Sequence, residues 1–288
     1  MKHFKTGFVA LVCLLFWANE GAAHLLENNC GTIRQPSRFK RVVGGQDAEI
    51  FSNPWLAILL QDQEYRCTGS LVTSRFVLTV ADCFNNSNSA PTKVRLGDYD
   101  RNRAQDCSSL GCLPRTSDID IERVIPHPKF EFTPGNVNNI ALVRIAEEIL
   151  FSDYIRPICL LVNQPLLKQF SSFIVAGWGH YNRVRKEVLQ TAIVRHRDIE
   201  ECKSILQMNN LSKDLICAGD TTSDTCFGDG GTPLTAEIVY EKVSRIFQFG
   251  LSSFGFTACK GPSVYTNVTY HMKWIEDTLF QFINKNSR

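Results

Sequence analysis

The 288-residue sequence lacks an apolar run long enough to cross a membrane as a helix. The N-terminal apolar run, from Phe8 to Ala18, is only about half of the ~20 residues that a spanning helix needs. The sequence also lacks a long basic run, and its net charge is +2 at pH 7. These absences argue against a membrane-spanning protein and give no reason to expect nucleic acid or an anionic membrane as a partner.

Metal-binding patterns are also scarce. The sequence has no paired CxxC motif and no clustered Cys/His spacing, which argues against a zinc site. Asp98 and Asp106 precede Cys107, but acidic residues are too sparse there to favour calcium over a solvated loop. A content of 44% hydrophobic and 21% charged residues is typical of a globular chain. The sequence therefore predicts a globular protein with no metal and no cofactor.

The first residues have the pattern of a secretory signal peptide. Lys2 and Lys5 precede the apolar run, and the small residues 21–23 provide a cleavage point. A membrane anchor is the alternative interpretation. We predict a signal peptide over residues 1–23, a mature chain that begins near His24 with a net charge of +1, and secretion to the extracellular space.

Cysteine usage fits an exported protein. An even number of cysteines remains once Cys13 in the predicted signal is set aside, which indicates a disulfide framework, although spacing alone leaves the pairing open. These cysteines are Cys30, Cys67, Cys83, Cys107, Cys112, Cys159, Cys202, Cys217, Cys226 and Cys259. Three sequons fit the same compartment as candidate glycosylation sites, at Asn85, Asn210 and Asn267.

Short apolar and β-branched runs alternate with turn-rich segments along the chain. Such spacing predicts an all-β fold of antiparallel barrels or a sandwich. The runs include 55–60, 76–80, 140–145, 173–176 and 188–194. From Val268 to Ile283 the apolar residues recur instead at helical spacing, which predicts a closing amphipathic helix.

Eight short motifs occur in an order and spacing that resemble the trypsin-like serine proteases. The resemblance covers the chain from about Arg41 to the C-terminus. The motifs are RVVGG at 41–45, NPW at 53–55, LTVADC at 78–83, NNIALVRI at 138–145, RPICL at 156–160, AGWG at 176–179, CFGDGGTPL at 226–234 and PSVYTNV at 262–268.

The resemblance implies a fold and a domain division. The fold would be two perpendicular six-stranded barrels with the cleft between them and a C-terminal helix. Residues 24–41 would form a short propeptide-like segment tethered by Cys30, followed by a protease-like domain over 42–288. The implied disulfides are Cys30–Cys159, Cys67–Cys83, Cys202–Cys217 and Cys226–Cys259, and the leftover Cys107–Cys112 bridge resembles those of arthropod clip-type proteases, although no clip domain fits into residues 24–41.

The three positions that carry the chemistry in this family are all substituted. The family motifs TAAHC, DIAL and GDSGGP supply a histidine base, an aspartate that orients it and a serine nucleophile. The corresponding residues here are Asp82, Asn139 and Gly230. Because Gly230 has no side chain and no imidazole remains, we expect the chain to have lost proteolysis.

Rescue by another histidine is not expected. The other mature-chain histidines are His24, His127, His180, His196 and His271. A general base must sit within ~3 Å of the proton it removes, and ordinary surface or half-buried roles explain these residues better.

The parts of the cleft that bind are better preserved than the parts that react. Backbone N–H groups of Gly228 and Gly230 would form the oxyanion hole, which needs no side chain. The resemblance places Asp224, Ser253, Gly255 and Ser263 around the substrate pocket, with Asp224 at the position that selects Arg or Lys. Ser263 replaces a glycine and Phe254 a tryptophan of the family pattern, so whether the pocket still accepts Arg stays open.

An activation site also resembles that of the family. Cleavage after Arg41 would free the amino group of Val42, which would move inward and pair with Asp229. The alternative is that Arg41 is an exposed basic residue without consequence.

Two functions follow from these features. The favoured one is a secreted, non-catalytic binding or regulatory protein in an extracellular proteolytic cascade, with a protease, a protease substrate or an inhibitor as partner. The alternative is a residual hydrolase toward Arg or Lys bonds that uses Asp82 and a bound water, which would lose activity on Asp82→Ala.

Overall fold

The structure, a computed structural model, describes most of the chain after residue 23. The described residues are 24–34, 46–116, 118–133, 135, 137–163, 169–181, 184–209, 211–219, 225–226, 230–255 and 261–285. The predicted signal peptide and the predicted activation site lie outside them. Within the described residues, no helix is long and apolar enough to cross a membrane.

The described residues form many short strands and few helices. In chain order the strands are β1 (His24–Leu25), β2 (Gln46–Asp47), β3 (Leu56–Gln61), β4 (Glu64–Thr73), β5 (Phe76–Thr79), β6 (Lys93–Leu96), β7 (Cys107–Ser108), β8 (Gly111–Cys112), β9 (Asp118–Pro126), β10 (Ala141–Ile145), β11 (Leu161–Val162), β12 (Ser172–Gly177), β13 (His180–Tyr181), β14 (Val184–Arg185), β15 (Gln190–Arg197), β16 (Leu215–Ala218), β17 (Thr225–Cys226), β18 (Pro233–Tyr240), β19 (Val243–Gly255) and β20 (Ser263–Asn267). The α-helices are α1 (Ile199–Leu206) and α2 (Met272–Lys285).

The first half of the chain closes into a barrel. Its strands are ordered β10, β5, β4, β3, β6 and β9, and β9 pairs back with β10. The runs that were predicted as strands at 55–60, 76–80 and 140–145 supply β3, β5 and β10, which are almost entirely buried. Their apolar, β-branched composition suits a strand that is covered on both faces.

The second half closes in the same way. Its strands are ordered β12, β18, β19, β20, β16 and β15, and β15 pairs with β12 to complete the ring. β2 adds to the outer edge of β15. The prediction of an all-β fold with two six-stranded antiparallel barrels is therefore confirmed.

A buried apolar cluster joins the two barrels and the C-terminal helix. It contains Leu78 and Leu142 of the first barrel, Leu251 of the second, and Ile275 of α2, each of which is at most 1% exposed. The cleft lies where the ends of both barrels meet above this shared core, so its geometry depends on the packing of both halves.

The predicted closing helix is present but begins later than expected. The helix starts at Met272 rather than Val268. The side-chain Oδ1 of Asn267 accepts hydrogen bonds from Oγ1 of Thr269 at 2.7 Å and from the backbone N–H of Tyr270 at 3.2 Å. These bonds hold the chain in a turn, because a side-chain acceptor offers the backbone an alternative to the helical pattern.

Four disulfides stabilise the described chain. They are Cys30–Cys159, Cys67–Cys83, Cys107–Cys112 and Cys202–Cys217, the pairs that the family resemblance implies. The predicted Cys226–Cys259 bridge lies outside the residues whose side chains are described.

The N-terminal segment is fixed to the second half of the chain. β1 pairs with β11, and the N–H of Gly31 donates to the carbonyl of Pro157 at 2.8 Å. Together with the Cys30–Cys159 bridge, these contacts would keep the segment attached after a cut at Arg41.

Candidate functional site

Asp82 lies at the mouth of the first barrel. It belongs to a 3-10 turn, Ala81–Phe84, that Val80 connects to the end of β5. The turn is fastened on one side by the Cys67–Cys83 bridge to β4. On the other side the backbone N–H of Asp82 donates to Oδ1 of Asn139 at 3.0 Å. The turn therefore holds Asp82 at a fixed point of the cleft.

Asn139 connects the two barrels at this point. Its side chain is fully buried. While its Oδ1 accepts from the Asp82 backbone, its Nδ2 donates to Oγ of Ser253 on β19 at 2.9 Å. Its own carbonyl accepts from Oγ1 of Thr266 on β20 at 2.8 Å. A buried amide is tolerated here because its donor and acceptor are both satisfied.

Gly230 faces Asp82 across the cleft. A Cβ atom at Gly230 would lie 3.7 Å from Oδ1 of Asp82. The carbonyl of Gly230 accepts a 2.9 Å hydrogen bond from the N–H of Thr68 on β4, which docks the turn onto the first barrel. The structure thus brings together Asp82, Asn139 and Gly230, the three positions that the motifs predict to correspond to the family's catalytic residues.

The electrostatics of this cluster differ from those of a charge-stabilised base. Burial raises the pKa of the Asp82 carboxyl above its ordinary value, and hydrogen bonds from Asn139 and from the N–H of Cys83 offset only part of that rise. Asp82 can therefore hold a proton more readily than a free aspartate. The adjoining Asn139 carries no charge, and Gly230 offers only backbone atoms.

On the predicted pocket wall, Ser263 packs against Gly255. Gly255 and Ser263 are directly paired in the β19–β20 ladder. A Cβ atom at Gly255 would lie 2.6 Å from Oγ of Ser263, so the hydroxymethyl group of Ser263 lies against the glycine. Phe254 packs against the apolar cluster that includes Val264 and Leu215.

Several predicted site residues lie outside the described part of the chain. They are Arg41, Val42, Asn210, Asp224, Gly228, Asp229 and Cys259. The base of the pocket, the second oxyanion N–H and the activation ion pair therefore stay predictions.

No described histidine side chain lies among the nearest neighbours of Gly230. The three atoms closest to a Cβ at Gly230 belong to Val80, Asp82 and Cys83. His24 lies beside Glu276, and Nδ1 of His196 contacts the carbonyl of Phe170 at 2.8 Å. The side chain of His180 is outside the described set.

The half-buried His127 and the buried His271 form a cluster with Asp214 that sequence reasoning missed. Nε2 of His271 lies 3.8 Å from Oδ2 of Asp214, and both side chains are at most 4% exposed. Burial acts to raise the pKa of Asp214, but its contacts with His271 and with the N–H of Asn138 outweigh it and hold the pKa below its usual range. The His127 ring lies 5.2 Å from that of His271, and burial and this neighbour lower the His127 pKa to about 4. The pairing of Asp214 with His271 has no signal in the sequence, because the two residues are far apart along the chain.

The loop before Cys107 uses its carboxylates internally. Oδ2 of Asp106 accepts from the backbone N–H of Asp100 at 3.0 Å, and the carboxylate of Asp98 lies 3.5 Å from the guanidinium of Arg95. Among the described residues, no group of three or more His, Cys, Asp or Glu has a metal-binding arrangement.

The described sequons differ in accessibility. Asn85 is exposed at the end of the 3-10 turn. Asn267 is only 8% exposed, and its side-chain oxygen is engaged in the turn before α2. Of these two, Asn85 has the geometry that suits a glycan.

Two closed barrels with a cleft at their junction define the class of a chymotrypsin-like serine protease fold. A sequence profile of the family "Trypsin" matches residues 42–275. The chain is similar to phenoloxidase-activating factor 3 of Holotrichia diomphalia, with 32% identity over 255 residues that cover 83% of this chain and 72% of that protein. It is also similar to serine protease ea of Drosophila melanogaster, with 32% identity over 280 residues, 88% of this chain and 70% of that protein.

A solved structure agrees with these relatives. The crystal structure of the Drosophila Grass clip serine protease of the Toll pathway matches with a TM-score of 0.75 and 28% identity, over 94% of this chain and 78% of that one. The chain therefore belongs to the trypsin family of serine proteases and is homologous to arthropod CLIP-domain proteases.

Proposed function

We propose that this chain is a secreted, non-catalytic member of the trypsin family that acts as a binding or regulatory protein in an extracellular proteolytic cascade. The observation that carries the proposal is the meeting of Asp82, Asn139 and Gly230 at one point of the cleft. Acyl transfer on this fold needs a nucleophile, an imidazole and a carboxylate that orients it. Asp82, Asn139 and Gly230 supply neither a hydroxyl nucleophile nor an imidazole.

A water-based mechanism is also poorly supported at this site. Carboxylate proteases activate water with two carboxyl groups that share a proton. The side chain that contacts the Asp82 turn is the amide of Asn139, which cannot share a titrating proton in this way. Of the three side chains nearest to a Cβ atom at Gly230, those of Val80, Asp82 and Cys83, only that of Asp82 carries a carboxyl group, and burial raises its pKa.

The remaining framework suits binding. Asn139 still ties the Asp82 turn to β19, and Thr68 still docks the Gly230 turn, so the cleft keeps its shape without the reactive side chains. The hydroxymethyl group of Ser263 against Gly255 favours a partner segment with a small side chain at that slot over one with a long cation. The partner would be a protease, a protease substrate or an inhibitor.

The relatives suggest the setting for a test. One bears the name of a phenoloxidase-activating factor, and the Grass protease belongs to the Toll pathway. We expect the purified chain to change the rate at which an active trypsin-family protease activates a phenoloxidase precursor by about fivefold or more, the scale of a typical coupling between binding sites. The measurement is phenoloxidase activity with and without the chain, before and after a cut at Arg41.

Two variants locate the surface responsible. Ser263→Leu fills the slot beside Gly255 and should reduce the effect, whereas Lys273→Leu changes a side chain that is 87% exposed on α2 and should not. Equal effects of both variants would exclude the cleft as the binding surface. If no rate change and no complex with the protease, precursor or an inhibitor were found, the regulatory role would be wrong.

A further inference from the structure

Val80 stands next to the position of the missing nucleophile. It follows β5 and precedes the turn that carries Asp82, and its side chain is fully buried. In the family motif TAAHC the corresponding residue is an alanine, so this chain carries two additional methyl groups at this point.

The extra volume lies where a nucleophile would begin. A Cβ atom at Gly230 would lie 3.1 Å from Cγ2 of Val80, closer than most Cβ contacts in proteins. An alanine at position 80 has no Cγ2 and would leave this space open. The backbone of Gly230 is not in the left-handed region, so the close contact, and not backbone strain, is the obstacle to a side chain there.

Val80 has little freedom to move away. A β-branched side chain is stiff about χ1, and Val80 is enclosed by the buried cluster between the barrels. Its backbone is fixed on both sides: Oγ1 of Thr79 donates to the carbonyl of Thr68 at 2.7 Å, and the N–H of Asp82 donates to Asn139 at 3.0 Å.

We infer that Val80 is a fourth substitution, beside those at positions 82, 139 and 230, that closes the site to a nucleophile. It is a packing residue whose side chain occupies space that a nucleophilic side chain at position 230 requires. The inference deepens the proposed function and rests on it in one respect, the interpretation of Val80 as part of the loss of catalysis. The packing contact itself exists whether or not the chain hydrolyses peptides. It follows that restoring histidine, aspartate and serine at the three substituted positions leaves the nucleophile displaced unless Val80 is also reduced to alanine.

A double-mutant cycle on folding stability tests this without any assay of activity. The proteins are the full mature chain, Val80→Ala, Gly230→Ala and the double variant, each measured for its thermal midpoint at one scan rate. We expect each single change to lower the midpoint, Val80→Ala by leaving a cavity and Gly230→Ala by overpacking. In the Val80→Ala background the added methyl group enters vacated space, so Gly230→Ala should have no cost or raise the midpoint.

A matched control separates specific coupling from general weakening. Val94 is equally buried in the same barrel but belongs to a different apolar cluster. Val94→Ala should therefore be additive with Gly230→Ala. The predicted coupling between positions 80 and 230 is at least about 2 °C more than this control shows.

Each outcome decides the inference. Coupling in the Val80 cycle alone supports it, as does a Gly230→Ala variant that folds only together with Val80→Ala. Additive changes in both cycles, or failure of Gly230→Ala to fold in both backgrounds, would overturn it. The proposed function fails separately, through peptide hydrolysis by the unchanged chain.

Discussion

At the residue scale, the amide of Asn139 holds the substituted site together. It accepts from the turn of Asp82 through Oδ1 and donates to Ser253 through Nδ2, so one side chain bridges the two barrels. A buried group with both polar atoms satisfied adds order without a charge to desolvate. Asn139 is therefore a structural link between the two barrels at the predicted site.

Asp82 makes the folding stability of the chain depend on pH. Because burial raises its pKa, the folded chain retains a proton on Asp82 at a pH where the unfolded chain has lost it. Stability from the protonated form is present below the unfolded pKa of about 3.9 and is lost as the pH rises through the folded pKa. We expect Asp82→Asn, which mimics the protonated form, to match the unchanged chain near pH 3 and to exceed its thermal midpoint by roughly 2–4 °C at pH 7.

Thermal midpoints across pH 3–7 measure this difference. The exposed Asp62, changed to asparagine, serves as the matched control. A difference for Asp82→Asn that stays flat with pH, or a slope of the same size for Asp62→Asn, would show that burial of Asp82 is not its cause.

At the element scale, the turn that contains Gly230 and Gly231 is held by hydrogen bonds to both barrels. Thr68 of β4 donates to the carbonyl of Gly230, and the N–H of Gly231 donates to the carbonyl of Ser252 on β19 at 2.8 Å. The turn thus lies between strands of both barrels. Its conformation is set by these contacts, which is why the loss of the serine does not require the loss of the turn.

Gly231 is a position in the turn at which a side chain would clash with the backbone. Its φ is +88°, and a Cβ atom there would lie 2.0 Å from the carbonyl oxygen of Thr68. We expect Gly231→Ala to lower the free energy of unfolding by about 3 kcal/mol or more, or to prevent accumulation of folded protein. Chemical denaturation of the purified variant measures the change.

Gly111 provides the control for backbone strain alone. Its φ is +127°, but a Cβ atom there would meet only the end of Arg34 at 3.8 Å. Gly111→Ala should therefore cost only the ~1–3 kcal/mol of an unfavourable φ. If Gly231→Ala and Gly111→Ala lowered the free energy of unfolding by the same amount, close packing of the turn against β4 would not be the reason that Gly231 is a glycine.

The elements also separate what the sequence predicts from what it does not. The apolar runs at 76–80 and 140–145 predicted β5 and β10 to within a residue, because buried strands carry an unbroken signal. The start of α2 was predicted too early, since the side chain of Asn267 redirects the backbone before Met272. Periodicity cannot express such a local hydrogen bond.

At the scale of the whole molecule, the order of the motifs was sufficient to predict the fold and to predict which of the substituted positions lie close together. Asp82, Asn139 and Gly230 are far apart in sequence, and the family pattern alone placed them together. The contact of Ser263 with Gly255 and the approach of Val80 to Gly230 could not be predicted in this detail, because they depend on distances between neighbouring strands and turns. The residue types therefore predict where the site lies, whereas the packing of side chains determines how much space remains in it.

The measurement that tests the account most directly is hydrolysis of Arg and Lys peptide substrates by the purified chain, both intact and cut after Arg41. The Cys30–Cys159 bridge keeps the N-terminal segment attached in the cut form, so the two forms have the same composition. An Asp224→Ala preparation, purified in parallel, reports contaminating protease. The account predicts no turnover above that control in either form, whereas turnover that falls with Asp224→Ala would contradict it and would require a catalytic group in the cleft besides Asp82, Asn139 and Gly230.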